Sequence, residues 1–468
     1  MKRLIYLFCF LSVSDAFGDK RVLDFLYEIR SDNSAATEQF EEINKNARNL
    51  EVNKALSELE SITNKPSEVS TLSGLNRLKA LCNVAIMKVA SGDYTDGLVG
   101  LDNSIAALSD LVKPFDPVMV RALVVRGIAA LSVEDYNESR EALRRAQHIL
   151  HREEGVFTLN QLPLVDYLAL TNLRAGEPFS ADREQLFSVT IVKKEFGDRS
   201  ESIIPRLIRV GNYFAQRAMG IPISTDTDSL NQRAWMLKTS RQMHLDTIEI
   251  FEELYGTDSP KLIAPLRRLA KAKLIASMGR KSAESDLRRA LELSSKNEEV
   301  DKAEVYAVNV DLGDFYAVTK NEKSAAQYLL SWKLMQEEDA GKQLAKSYFG
   351  SPVRLHPPKI SHFSLDRLPD SAEPGSELFV DLEFGINEAG RVFNAKITDK
   401  NIPNDQARAV RQREKNTIYR PRIEEGVFVP VDANQLRQLF KVKQLNKQEE
   451  KVVPDPSPES EEKKTANS

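Results

Sequence analysis

His148 and His151 stand three residues apart in "QHILHRE", a spacing that sets two imidazoles on one helical face, near enough to share a metal ion. No acidic or cysteine pattern beside them completes a ligand set, so the pair reads as surface histidines and no metal is expected. His356 and His362 lie in a proline-rich stretch with no nucleophile signature nearby, and His244 completes the five. The chain has no Gly-Lys-Ser/Thr phosphate loop, no G-x-G-x-x-G and no G-x-S-x-G. No catalytic residue and no cofactor is assigned, and an enzyme is the least supported reading. Arg408, Arg411, Arg413, Lys415, Arg420 and Arg422 could face an acidic partner. Interspersed with Asp405, Glu414, Glu424 and Glu425, they read instead as a solvated face.

The elements that would position any site begin with a leader. Lys2 and Arg3 precede an apolar run from Leu4 to Val13, with Ala16 and Gly18 as cleavage positions. A membrane-spanning helix needs about 20 apolar residues, so this run is short for an anchor. Residues 1–18 are therefore expected as a signal peptide, with a periplasmic product that keeps no stable transmembrane segment. The alternative is an inner-membrane protein held by an uncleaved signal. After cleavage Cys82 is the remaining cysteine, and "LKALCNVAIM" places it as a small buried residue on a helix. The net charge of −4 gives no global argument for nucleic acid as a partner.

From residue 19 to 349 the apolar spacing is helical, and it repeats. Gly92, Asp93, Tyr94 and Gly97 correspond to Glu134, Asp135, Tyr136 and Ser139, 42 positions on, and Gly176 follows at the same interval. Each unit reads as two antiparallel helices about a shared turn, with Gly127, Ser139 and Ala146 small enough to let the backbones approach. Ala283 and Ala325 stand at the same interval, whereas "FGDRSESIIPRLIRVG" and "YGTDSPKLIAPLRRLA" match at 59, which suggests an inserted loop at "GIPISTDTDS". Lys20 to Lys65 reads as an opening helical pair. With Leu312-Gly313 followed by Tyr316, the chain resembles the tetratricopeptide repeat family, in its 42-residue kinesin-light-chain form, over Leu72 to Met335. That resemblance implies a stacked helical solenoid that holds a peptide or protein along a concave face.

Five prolines between Gly350 and Ser376 mark a linker, residues 350–376. Beyond it the period switches to two. Leu378, Val380, Leu382, Phe384 and Ile386 alternate with Phe379, Asp381, Glu383 and Gly385, "NEAG" turns the chain, and Phe393, Ala395 and Ile397 share one side of the return strand. A helix from Pro403 to Asn416, with Ala407 and Val410 toward the sheet, leads to a strand through Val427, Val429 and Val431. This strand-strand-helix-strand order over residues 377–443, with Tyr419-Arg420-Pro421 and Gly426, resembles the carboxy-terminal domain of the TonB family. The resemblance implies a partner segment added as a strand at the sheet edge. Val427, Phe428 and Val429, taken as the last strand, are the candidate edge. The other reading, that this strand completes the sheet beneath "NQLRQLFKV", stays open. Residues 444–468 read as a disordered tail.

The fold class expected is mostly α: a solenoid of tetratricopeptide-like helix pairs with a small α+β domain. The function expected is a secreted adaptor with protein or peptide partners in the cell envelope; the alternative is a component of TonB-type energy-coupled outer-membrane transport.

Overall fold

Helical spacing before residue 350 and alternation after it become, in the computed structural model, a series of helix pairs followed by a strand-rich region. The structure describes residues 20–442 apart from 31–33, 50, 65–71, 73, 222–226, 276–279, 298–299, 357–361, 366–367, 371 and 373–375. The expected leader and tail lie outside the described residues. The chain divides into two compact units, Met1–Gly279 and Arg280–Ser468.

In the first unit, α1 (Ser34–Arg48) pairs with α2 (Val52–Thr63), α3 (Gly74–Ser91) with α4 (Tyr94–Leu111), and α5 (Met119–Ser132) with α6 (Tyr136–Glu153). Next come α7 (Leu162–Arg174) with α8 (Pro178–Phe196), α9 (Ile204–Gly220) with α10 (Thr227–Tyr255), and α11 (Ile263–Ile275). The repeat read from sequence is a repeat of turns. Gly92, Glu134 and Gly176 carry φ values of 95°, 63° and 80°. The N–H of the next residue returns five positions in each case: Asp93 to Lys88, Asp135 to Ala130 and Glu177 to Asn172, at 3.0, 2.9 and 2.8 Å. This is the Schellman closure, in which one left-handed residue ends a helix and satisfies its last carbonyls. Asp93 and Asp135 then cap the following helix, each accepting an N–H at 3.2 Å. A helix is thus ended and a new one started within two residues.

Close approach follows from the small positions. A Cβ on Gly127 would stand 2.6 Å from Leu143 Cγ, and Ala146 is fully buried beside it. Thr158, Ser200 and Ser259 cap the three-residue 3-10 turns that lead into α7, α9 and α11, each side chain accepting the N–H two residues on. Their spacings are 42 and 59. The extra length enters the helices, since α9 and α10 have 17 and 29 residues against 13 and 19 in α7 and α8. Of the inserted loop expected at "GIPISTDTDS", residues 222–226 lie outside the described residues, and α10 begins at Thr227 inside it. Cys82 is buried on α3, and burial pushes its thiol up to about 12, where it is a poor nucleophile.

The second unit opens with α12 (Arg280–Lys296), α13 (Lys302–Val318), α14 (Lys323–Met335) and α15 (Asp339–Phe349). The α13–α14 turn repeats the Schellman closure, with Lys320 at φ 57° and Asn321 N–H on Tyr316 C=O at 2.8 Å. The strand-rich part comprises β1 (Val353–His356), β2 (His362–Leu365), β3 (Leu378–Ile386), β4 (Val392–Lys400), α16 (Asn404–Lys415), β5 (Ile418–Arg420), β6 (Arg422–Glu424), β7 (Val427–Val429) and β8 (Val431–Val442). One sheet has the order β2-β8-β3-β4, while β1 pairs with β5 and β6 with β7 as two-stranded ribbons. Thus the proline-rich segment contributes two strands, each held by a partner more than 60 residues later. As expected, Leu378, Val380, Leu382, Phe384 and Ile386 form one buried row, closed by Ala407 and Val410 of α16. The return strand differs from its reading. Asn394, at φ 50°, inserts a bulge, so Val392 rather than Phe393 shares the core face with Ala395 and Ile397. Phe393 lies across the opposite face, over Gly385.

His244 of α10 is 1% exposed, and a Cβ on Gly211 of α9 would stand 2.9 Å from its ring. Burial, then Arg268, pushes the imidazole down from 6.5 to about 4. As pH falls the unfolded chain takes this proton first, so the contribution is intact above about 6.5 and lost progressively toward 4. Urea unfolding across this range should show a decline in stability of which about 3 kcal/mol disappears in His244→Met. An unchanged slope in that variant would remove His244 from the account.

Candidate functional site

β5 is three residues long, and all three are buried between two cores. Strand alternation sends Tyr419 one way and Ile418 and Arg420 the other. Tyr419 joins the core of the four-stranded sheet and donates its hydroxyl to Glu414 Oε1 of α16. Glu414 is itself 1% exposed and takes Arg354 Nη2 of β1 at 2.6 Å. Ile418 joins the core of α13, α14 and α15, and Arg420 reaches past it to α13.

Arg420 grips Asp314 with two donors and uses a third on the main chain. Nε donates to Asp314 Oδ1 at 2.8 Å, Nη2 to Asp314 Oδ2 at 2.7 Å, and Nη1 to the Tyr348 carbonyl at 3.0 Å. The guanidinium lies 5.5 Å from the Tyr348 ring centre and 5.9 Å from that of Phe349. Burial alone would lower its pKa, but the Asp314 carboxylate outweighs this and raises it. Tyr328 donates its hydroxyl to Asp314 Oδ1 at 2.9 Å, and burial, followed by that carboxylate, holds the phenol protonated. Arg420 therefore does not belong to a solvated basic face as read from the sequence. At 7% exposure it fastens β5 to the last helix pair.

The fastening positions the candidate edge. Pro421 separates β5 from β6, and Glu425-Gly426, at φ 47° and 81°, make the two-residue turn into β7. Gly426 lies against Trp332 of α14, and Phe428 packs into the core around Tyr328 and Phe349. Val427 remains 61% exposed and Val429 half-buried. The predicted residues thus sit together on a ribbon, outside the four-stranded sheet. β8, which contains "NQLRQLFKV", takes the place between β2 and β3, and Pro430 is the break that divides it from β7. With Glu424 and Val427 flanking a two-residue turn, their main-chain groups face one another, as do those of Arg422 and Val429. The outward groups of β7 are then those of Phe428.

Within the four-stranded sheet, the edge strand β4 is less open to pairing. The Asn394 bulge breaks its register, and Lys396, Asp399 and Lys400 charge its length. His148 is exposed, His151 Nε2 is engaged with Gln161 Oε1 at 2.9 Å, and no group of three His, Cys, Asp or Glu that could hold a metal occurs among the described residues. Sequence reasoning missed Asp314 altogether. The available signal was Arg420 itself, a charge alternating with apolar residues ahead of a proline.

No family model matches the chain, and no curated protein matches it. Among solved structures, the chain is similar to the TPR-like repeats of a kinesin light chain from Podosopora anserina, at 14% identity over 49% of this chain and 100% of that one, with a TM-score of 0.37. It is similar to BtubC (BKLC) from P. vanneervenii at 14% identity over 52% and 91%, TM-score 0.35. To the apo form of RapI it is similar at 15% identity over 68% and 82%, TM-score 0.42.

Arg420→Ala leaves the partly buried Asp314 without its cation, which should cost about 3 kcal/mol and expose the amides of β5 to β7 to hydrogen exchange. Replacing both partners, Asp314→Leu with Arg420→Met, should recover most of that loss. A single variant that melts and exchanges like the parent would show that the pair does not hold the ribbon.

Proposed function

We propose that the protein is an adaptor exported to the periplasm, where helix pairs form the scaffold and the strand-rich region acts as a TonB-like binding module for envelope proteins. The observation that carries the reading is the β6–β7 ribbon. Its inner face is locked by Phe428, Trp332 and the Arg420 clamp, while Val427 is left exposed on a strand with an open outer side among the described residues. A rigid strand with one apolar side chain outward can accept a partner segment without ordering itself first. Export is supported by Lys2, Arg3 and the apolar run Leu4 to Val13. No helix among the described residues is long and apolar enough to cross a membrane. The adaptor reading assigns no catalytic step to the chain.

Removing everything after Ser376 is a poor test, because it strips Asp314, Tyr328 and Phe349 of their covering strands. A photo-crosslinking residue at Val427 of the full chain probes the surface directly. Irradiated envelope fractions should yield discrete protein adducts from Val427 and few from Glu388, an exposed hairpin tip. Equal adduct patterns from the two positions would remove the ribbon as the binding surface.

A further inference from the structure

The segment Lys20–Arg30 precedes the first helix pair and lies across α1, α3 and α5. It forms a short 3-10 helix, Lys20–Phe25, and then runs without regular structure. Val22, Leu23, Leu26, Tyr27 and Ile29 are each at most 4% exposed.

Its main chain is held by side chains. Asn83 of α3 accepts the Tyr27 N–H on Oδ1 at 2.7 Å and donates Nδ2 to the Tyr27 carbonyl at 2.9 Å. Asn44 of α1 donates to the same carbonyl at 2.9 Å and accepts from Asn83 Nδ2 at 3.3 Å. Arg121 of α5 donates to the Leu26 carbonyl, and Asn76 of α3 to the Arg30 carbonyl. The Tyr27 hydroxyl donates to the Val118 carbonyl at 2.6 Å and accepts the Ala122 N–H at 3.0 Å. Arg121 also lies 5.8 Å from the ring centre.

Buried asparagines are costly unless their amides are paired, and here Asn83, at 0% exposure, is paired by the backbone of a segment from outside its own helix pair. A two-way amide contact to N–H and C=O of one residue recognises extended backbone whatever its side chain. Selectivity then comes from the tyrosine, whose hydroxyl meets one acceptor and one donor, and from the apolar positions around it. When the segment leaves, these amides face water and remain satisfied, unlike the walls of a purely apolar core.

We infer that α1, α3 and α5 form a receptor for an extended peptide and that Lys20–Arg30 is its exchangeable ligand in cis. The partner that fits is a protein segment with tyrosine in the Tyr27 place, apolar residues five, four and one positions before it, and another two after it. This deepens the adaptor reading and rests on it only for the statement that the occupant in trans is a partner protein.

The test uses the full chain with a protease site placed at residues 31–33. After cutting, a labelled synthetic peptide of Lys20–Arg30 should bind saturably at one site per chain, and should not bind the uncut protein. The same peptide with Tyr27→Phe should bind more than tenfold more weakly, and Asn83→Leu in the protein should weaken binding by a similar factor. Unfolding on cutting, or a folded cut chain that never exchanges its segment, would overturn the inference by making the segment a fixed part of the core. Binding indifferent to both substitutions would overturn it equally. None of these results touches crosslinking at Val427, so the adaptor reading and this inference fail separately.

Discussion

Two antiparallel helices joined by two to four residues can pack only if the chain reverses without leaving carbonyls bare, and one left-handed residue does this at Gly92, Glu134, Gly176 and Lys320. The rest follows from that reversal. Asp93 and Asp135 are placed to cap the next helix, the helices start close together, and positions such as Gly127 and Ala146 must stay small. Glu134 and Lys320 show that the geometry is required even where glycine is absent, since the tertiary contacts of the pair hold them in a region that costs an ordinary residue about 1 kcal/mol or more. The repeated quantity is therefore a backbone conformation, with the residue type following it only in part.

In the second unit a different device does comparable work over longer range. β5 is too short to be stable as an isolated ribbon with β1. It persists because Tyr419 and Arg420 face opposite cores and each ends on a carboxylate, the buried Glu414 or the partly buried Asp314. Both carboxylates are shared, one with Arg354 and the other with Tyr328. Each buried charge is thereby met by more than one partner, the condition under which ion pairs can survive burial.

How much of this was legible depends on range. The 42-residue interval, the turn at "NEAG" and the buried row from Leu378 to Ile386 are written in local spacing, and the structure follows them. The face of Phe393 was not legible, because a one-residue bulge at Asn394 sets Phe393 on the side opposite Ala395 and Ile397. Val427, Val429 and Val431 read as one strand, although Pro430 divides them between a ribbon and the sheet. β1 and β2 were hidden in a proline-rich stretch because their pairing partners, Ile418 to Arg420 and Leu439 to Val442, are distant in sequence. The Arg420–Asp314 contact spans 106 positions, and no periodicity encodes such a pairing.

That separation also gives the contact a place in time. During synthesis α13 and α14 are complete at Met335, about 85 residues before Arg420 exists, so Tyr328 can seat against Asp314 while the guanidinium is still to be made. Local helix pairs form early and long-range pairing late, since loop closure must precede its reward. The clamp is thus a finishing step, and a chain that stops short of residue 420 carries an uncovered carboxylate and an aromatic face as the mark of its incompleteness.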